Sequence, residues 1–156
     1  MNKIKSIALV SLILLFTSSC TYQNINSKNQ KKFHIQEFVI AGDNRTSFII
    51  QKKIQRFSNE DSNNKIKLSL ELNENKTIQE KNIQNKVTKY NVSLSANLKI
   101  IELNSAKEIK RTFSAKRDYK VEDNYSATVN NLKEAKNSLI DIIVNEILDQ
   151  LRIYYR

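Results

Sequence analysis

Few side chains in this sequence could do chemistry, and they lie apart. Cys20 is the only cysteine, so it cannot close an internal disulfide, and no set of thiolates exists to hold a metal. His34 is the only histidine and stands between Phe33 and Ile35, a setting in which an imidazole packs rather than moves protons. Hydrolysis by a covalent route needs a nucleophile beside a base that is itself oriented, and one imidazole with no companion does not supply that. Glu60 and Asp61 fall in a loop, Glu122 and Asp123 in a turn, and Glu134, Asp141, Glu146 and Asp149 along the C-terminal segment. Adjacent carboxylates in a turn, with no histidine near them, make a poor metal site. The expectation is a non-enzyme with no metal and no cofactor.

What precedes Cys20 gives that thiol a use. "MNKIKSIALVSLILLFTSSC" begins with Lys3 and Lys5, runs apolar from Ile7 to Phe16 with Ser11 as the one break, and ends in Thr17, Ser18 and Ser19. A basic start, a short apolar run and small residues at a cleavage point mark an export signal. The apolar run is shorter than the about 20 residues that a membrane-spanning helix takes. With cysteine at the cleavage point, the segment resembles a bacterial lipoprotein signal, in which the thiol is acylated and becomes the first mature residue. Thr17 stands where such signals usually carry leucine. Several acyl chains hold a protein on a membrane far more firmly than one. The expected organisation is a signal peptide over residues 1–19, a lipidated tether over 20–32 and one domain over 33–156. "TYQNINSKNQKK", the tether, is polar and without period, as a leash is.

Charge points to anionic partners. The chain has 26 Lys and Arg against 16 Asp and Glu; losing residues 1–19 removes Lys3 and Lys5 but no acid, which leaves a side-chain charge of +8. A basic surface attracts nucleic acid, lipid headgroups or phosphorylated sugars, and export makes nucleic acid the least expected of these. Lys, Asn and Ile also crowd the chain, a composition that AT-rich coding produces by itself. With Gly42 the only glycine, no glycine-rich phosphate cradle is present.

The elements that must position these residues are legible from periodicity. "KYNVSLSANLKI" alternates with Tyr90, Val92, Leu94, Ala96, Leu98 and Ile100 on one face, and "KIKLSLELN" does the same with Ile66, Leu68, Leu70 and Leu72; both predict strands with one buried face. "FHIQEFVIA" predicts a strand by its β-branched and aromatic content. In "IKRTFSAKRDYKV" the alternation sets Ile109, Phe113, Ala115, Tyr119 and Val121 on one face, and Arg111 and Arg117 share it. "DNRTSFIIQKKIQRFS" predicts a helix capped by Asp43, with Ile50, Ile54 and Phe57 at helical spacing. From about Ser126 to Tyr154 a stripe of Leu132, Ala135, Leu139, Ile142, Ile143, Ile147 and Leu151 predicts a second helix. Its apolar arc widens to Ile140 and Val144, which means either a deep seat in the core or contact with another protein. "ENKTIQEKNIQNK", residues 74–86, is long for a link between adjacent strands, and Ile78 and Ile83 are candidates to pin it to a partner. The fold expected is α+β, a two-layer sandwich of four strands with two helices on one face, in the order β-α-β-β-β-α. The uncovered face would carry Lys65, Lys67, Lys89, Lys99, Lys110, Lys116 and Lys120, a row that also guards a sheet against sticking.

This order, with a lipoprotein cysteine, a short leash and a C-terminal amphipathic helix, resembles the LPS-assembly lipoprotein LptE family. "KYNVSLSANLKI", the turn "ELNSAKE" and "IKRTFSAKRDYKVEDN" look like that family's two central strands and the acidic turn before its last helix. Tyr22 keeps the aromatic often found after the cysteine, while Thr21 replaces a glycine. The resemblance implies a lipoprotein on the periplasmic face of the outer membrane. Such a protein plugs and helps assemble the β-barrel that delivers lipopolysaccharide to the surface, and touches that lipid. None of the family's lipid-contacting residues maps onto this sequence, so candidates come from its own pattern. Lipopolysaccharide carries clustered phosphates, which cations meet with charge-assisted hydrogen bonds. Arg111 and Arg117, on the apolar side of their strand, either form an anion site at the edge of the core or snorkel out on their stems; Lys116, Lys120 and Lys89 complete the set. A pilot lipoprotein for another outer-membrane pore, or an auxiliary lipoprotein of a phospholipid transporter, would share these features.

Overall fold

The computed structural model describes residues 32–155. Its elements are β1 (His34–Ala41), α1 (Asn44–Gln55), β2 (Lys65–Lys81), β3 (Val87–Glu102), β4 (Glu108–Lys120) and α2 (Tyr125–Tyr154). The fold is α+β in the predicted β-α-β-β-β-α order. One four-stranded sheet has the spatial order β1-β2-β3-β4. β1 and β2 run parallel across the α1 crossover, and the remaining pairs are antiparallel. Both helices serve one core with the sheet. Ile66, Leu68, Leu70 and Leu72 of β2 meet Val92, Leu94, Ala96, Leu98 and Ile100 of β3, with Ile50 and Ile54 of α1 and the α2 stripe above them.

Local features set the helix ends. Asp43 Oδ2 accepts the Thr46 amide at 2.9 Å, satisfying one of the orphan donors of the first turn, and this hydrogen bond lowers the Asp43 carboxyl pKa. α1 stops at Gln55, so Phe57, expected on its stripe, lies in the turn beyond it. There Phe57 is partly exposed, and the Arg152 guanidinium sits 5.6 Å from its ring centroid. Asn124 caps α2 by accepting the Ser126 amide at 2.8 Å. Gly42, between β1 and α1, has φ +136°, and a Cβ there would lie 2.8 Å from Leu72 Cβ and 2.9 Å from the Leu72 carbonyl oxygen. Only glycine lets the chain leave β1 this close to β2.

The widened arc of α2 is a core seat. Ile140 and Val144 are as buried as Leu139 and Ile143, and Lys53 of α1 bonds Asp141 at 2.6 Å beside them. α1 therefore covers the part of the arc that the sheet does not.

The polar stretch 74–86 is no loose link. β2 continues through it to Lys81, and residues 82–86 make the turn to β3. Asn82 Oδ1 accepts the amides of Gln84 and Lys86, and Asn85 takes φ 63°, a left-handed conformation that asparagine tolerates better than most residues. The side chains of this arm are mostly hydrophilic, but the backbone pairs with β3 from Lys76↔Val92 to Lys81↔Val87. Lys76 also lies 3.8 Å from the centroid of Tyr90, which stacks on Tyr119 with centroids 5.6 Å apart.

Candidate functional site

β4 is the outer strand beyond β3 and carries four of the five candidate contacts. Ile109, Ala115 and Tyr119 are buried on its helix-facing side, yet Arg111 and Arg117 on the same side are exposed. Edge position explains the difference: nothing continues the sheet beyond them, so their stems pass over the rim and the guanidinium groups reach water. Arg111 is engaged there. Its Nη2 donates to the Tyr154 hydroxyl at 2.7 Å and its Nη1 to the Lys110 carbonyl at 3.0 Å. Its guanidinium carbon lies 5.9 Å from the Tyr154 ring centroid. Arg111 thus ties β4 to the last turn of α2.

The open face is a lattice of paired charges rather than a bare lysine row. Lys67 pairs with Glu37 at 2.5 Å, Lys89 with Glu80 at 3.1 Å, and Lys99 and Lys110 share Glu108 at 2.8 and 2.9 Å. The hydrogen bond from Lys99, then that from Lys110, holds the Glu108 carboxyl below its ordinary pKa. Asn91 donates to Asp118 at 2.6 Å, and the Thr112 hydroxyl to Asn97 at 2.9 Å. Surface pairs of this kind contribute little each, but they consume the charge that a ligand would need. Lys89, directly opposite Lys120 in the ladder, is paired with Glu80.

Lys116, Arg117 and Lys120 remain, without an ion pair among the described residues. They cluster at the end of the strand that leads into α2. Arg117 and Lys120 border a depression of about 310 Å³ whose other walls include Glu122, Asn131 and Glu134. Asn131 Nδ2 bonds the Lys120 carbonyl at 3.2 Å and Glu122 Oε1 at 3.3 Å. The charges of the depression are mixed: Arg117, Asp118 and Lys120 come from β4, Glu122 from the turn that follows and Glu134 from α2. Lys116 and Lys120 lie on the open face, with Asp118 between them along β4.

His34 sits in β1 with Nδ1 buried and without a hydrogen-bond partner. Among the described residues no group of three or more His, Cys, Asp and Glu side chains could hold a metal ion. Ile78 and Ile83, on the β2–β3 arm, are 52% and 99% exposed, so both are free to meet a partner. Cys20, the expected signal peptide and all but the last residue of the expected tether lie outside the described residues.

Two tyrosines escaped the sequence reading. Tyr154 receives Arg111, and Tyr155 is buried against Phe33 with ring centroids 5.8 Å apart. The Tyr155 hydroxyl meets Glu102 Oε1 at 3.3 Å, and burial, then the Glu102 charge, raises its pKa well above the ordinary phenol value. Adjacent tyrosines at the end of an amphipathic helix were the available signal.

No family model matches the sequence, and no curated protein matches it. Solved structures do resemble its fold. The rare lipoprotein B from Shewanella oneidensis superposes with a TM-score of 0.55 at 12% identity, over 74% of this chain and 92% of that one. A minor lipoprotein from Acinetobacter baumannii gives 0.56 at 15% identity, over 80% and 94%. A putative lipoprotein from Caulobacter crescentus gives 0.54 at 11%, over 80% and 90%. At these identities the likeness is one of fold.

Proposed function

We propose that this protein is an outer-membrane lipoprotein, anchored on the periplasmic face through acylated Cys20. In this reading it plugs and assists assembly of the β-barrel translocon that delivers lipopolysaccharide to the cell surface. The observation that carries the reading is the fold shared with bacterial lipoproteins over most of the chain, in a sequence whose lone cysteine closes an export leader. Lys116 and Lys120 are the contacts offered to lipid phosphate, since both are exposed and neither is paired with an acid among the described residues. Arg117 stands nearby on the helix side. A plug needs a rigid body and a surface, not a catalytic site, and the paired open face and single core supply the rigidity.

Depletion of the protein in its own host tests this. Surface lipopolysaccharide and the amount of correctly assembled barrel are both expected to fall, and a Cys20→Ser chain is expected not to restore them. Unchanged lipopolysaccharide at the surface after depletion would remove the reading.

A further inference from the structure

The outer edge of β4 is an unfilled place in the sheet. Its direction is fixed by the bonds at its two ends. The Lys107 carbonyl accepts the Glu102 amide and the Val121 amide donates to Thr88, so odd-numbered residues turn their backbone groups toward β3. Even-numbered residues turn theirs outward. Consistently, the Lys110 carbonyl is met by Arg111 and the Lys120 carbonyl by Asn131, both from outside the ladder. Between these ends Thr112, Ser114, Lys116 and Asp118 present N–H and C=O groups with no backbone partner among the described residues.

β1, the opposite edge, is defended in a way that β4 is not. It has eight residues and a register break between Ile35 and Glu37. β4 has 13 residues, and its register with β3 is unbroken from Lys89↔Lys120 to Ile101↔Glu108. Bulges and short length are the usual protections of an edge; β4 relies on charge alone. Charge repels selectively. If a second copy paired antiparallel about Ser114, Arg111 would face Arg117, and like charges directly opposite destabilise a strand pair. The same two guanidinium groups favour a strand that brings carboxylates. Between them, on the helix side, lie Phe113, half-buried, and Ala115, buried.

We propose that the outer edge of β4 receives an extended strand of a partner protein, with carboxylates opposite Arg111 and Arg117 and apolar side chains opposite Phe113 and Ala115. Main-chain hydrogen bonds to the four outward residues hold such a strand, and the side-chain pattern selects it. The inference goes beyond the proposed function, because it names how a protein partner is gripped. It leaves Lys116 and Lys120 on the open face for phosphate.

The test uses the full chain and a capped nine-residue peptide. Its second, fourth, sixth and eighth residues are Glu, Val, Val and Glu, with threonine elsewhere; a control peptide carries Lys for Glu. The glutamate peptide is expected to slow amide exchange at Ser114 and Lys116, to bind more weakly as salt rises, and to outcompete the control. Ser114→Pro removes one outward donor without touching the β3 ladder or any charge. It should weaken binding by about tenfold or more, while thermal unfolding stays as in the parent. Should that variant not fold, the double variant R111E/R117E decides: its preference should switch to the lysine peptide. Equal binding by Ser114→Pro, equal binding of both peptides, or no exchange protection at Ser114 would each overturn the proposal. So would a homodimer in sedimentation that Ser114→Pro dissolves, since the occupant would then be a second copy. Binding of phosphate-bearing lipid is indifferent to Ser114→Pro, so the two readings fail separately.

Discussion

Arg111 shows where residue-level reading stops. Its place on the apolar side of β4 follows from alternation alone, and its escape to solvent follows once β4 is known to be an edge. Its partner does not follow, because Tyr154 is 43 positions away and only the packing of α2 across β4 brings them together. Lys67 and Lys89 were legible as surface cations in the same way. That Glu37 and Glu80 neutralise them depends on the β1 register and on the β2–β3 arm, which no local pattern encodes. Tyr155 yields the sharpest prediction at this scale. Its pKa is raised in the folded protein, by burial first and Glu102 second, so the folded state disfavours the phenolate. The contribution is present below the unfolded value of about 10 and is lost as pH rises above it, where the unfolded chain ionises and the folded one does not. Thermal unfolding measured from pH 9 to 11 should fall more steeply for the parent than for Tyr155→Phe; parallel curves would show that Tyr155 is not the group responsible.

At the scale of elements, strands with a clean period of two and a long helix with a continuous stripe were legible, because burial of one face is what writes those periods. β2 was legible only as far as Asn73. Beyond it the residues are hydrophilic, and the strand persists because β3 pairs with it as far as Lys81, across register shifts at Glu80, and Tyr90 gives Lys76 a platform. A tertiary partner overrides propensity here. The end of α1 was misplaced for the converse reason: Phe57 keeps the helical spacing but packs beneath Arg152 from a turn. α2 is the element on which the core depends most. Ile143 is fully buried within it; Ile143→Ala should cost about 2–5 kcal/mol. Urea unfolding checks this, and a loss under about 1 kcal/mol would mean that α2 is not seated as described.

The whole molecule has two ends with different equipment. The first described residues stand where β1 and β2 begin together, His34 beside Lys65, and Tyr155 closes that end over Phe33. β2 then runs 17 residues to the turn, a span of roughly 50 Å at about 3.3 Å per residue. Ile78, Ile83 and the unpaired cations of β4 lie at the other end, where β2 turns into β3. The two-layer architecture was legible from element order and one-faced strands, whereas no local pattern indicates which edge stays open or which lysines are spent on acids. The direct measurement of the proposed function is to isolate the tagged chain from detergent-solubilised membranes of its host and determine the identity and stoichiometry of the proteins bound to it. An outer-membrane β-barrel of the lipopolysaccharide pathway, recovered in roughly equal amount, is the predicted result; a secretin or a phospholipid-transporter subunit in its place would contradict it.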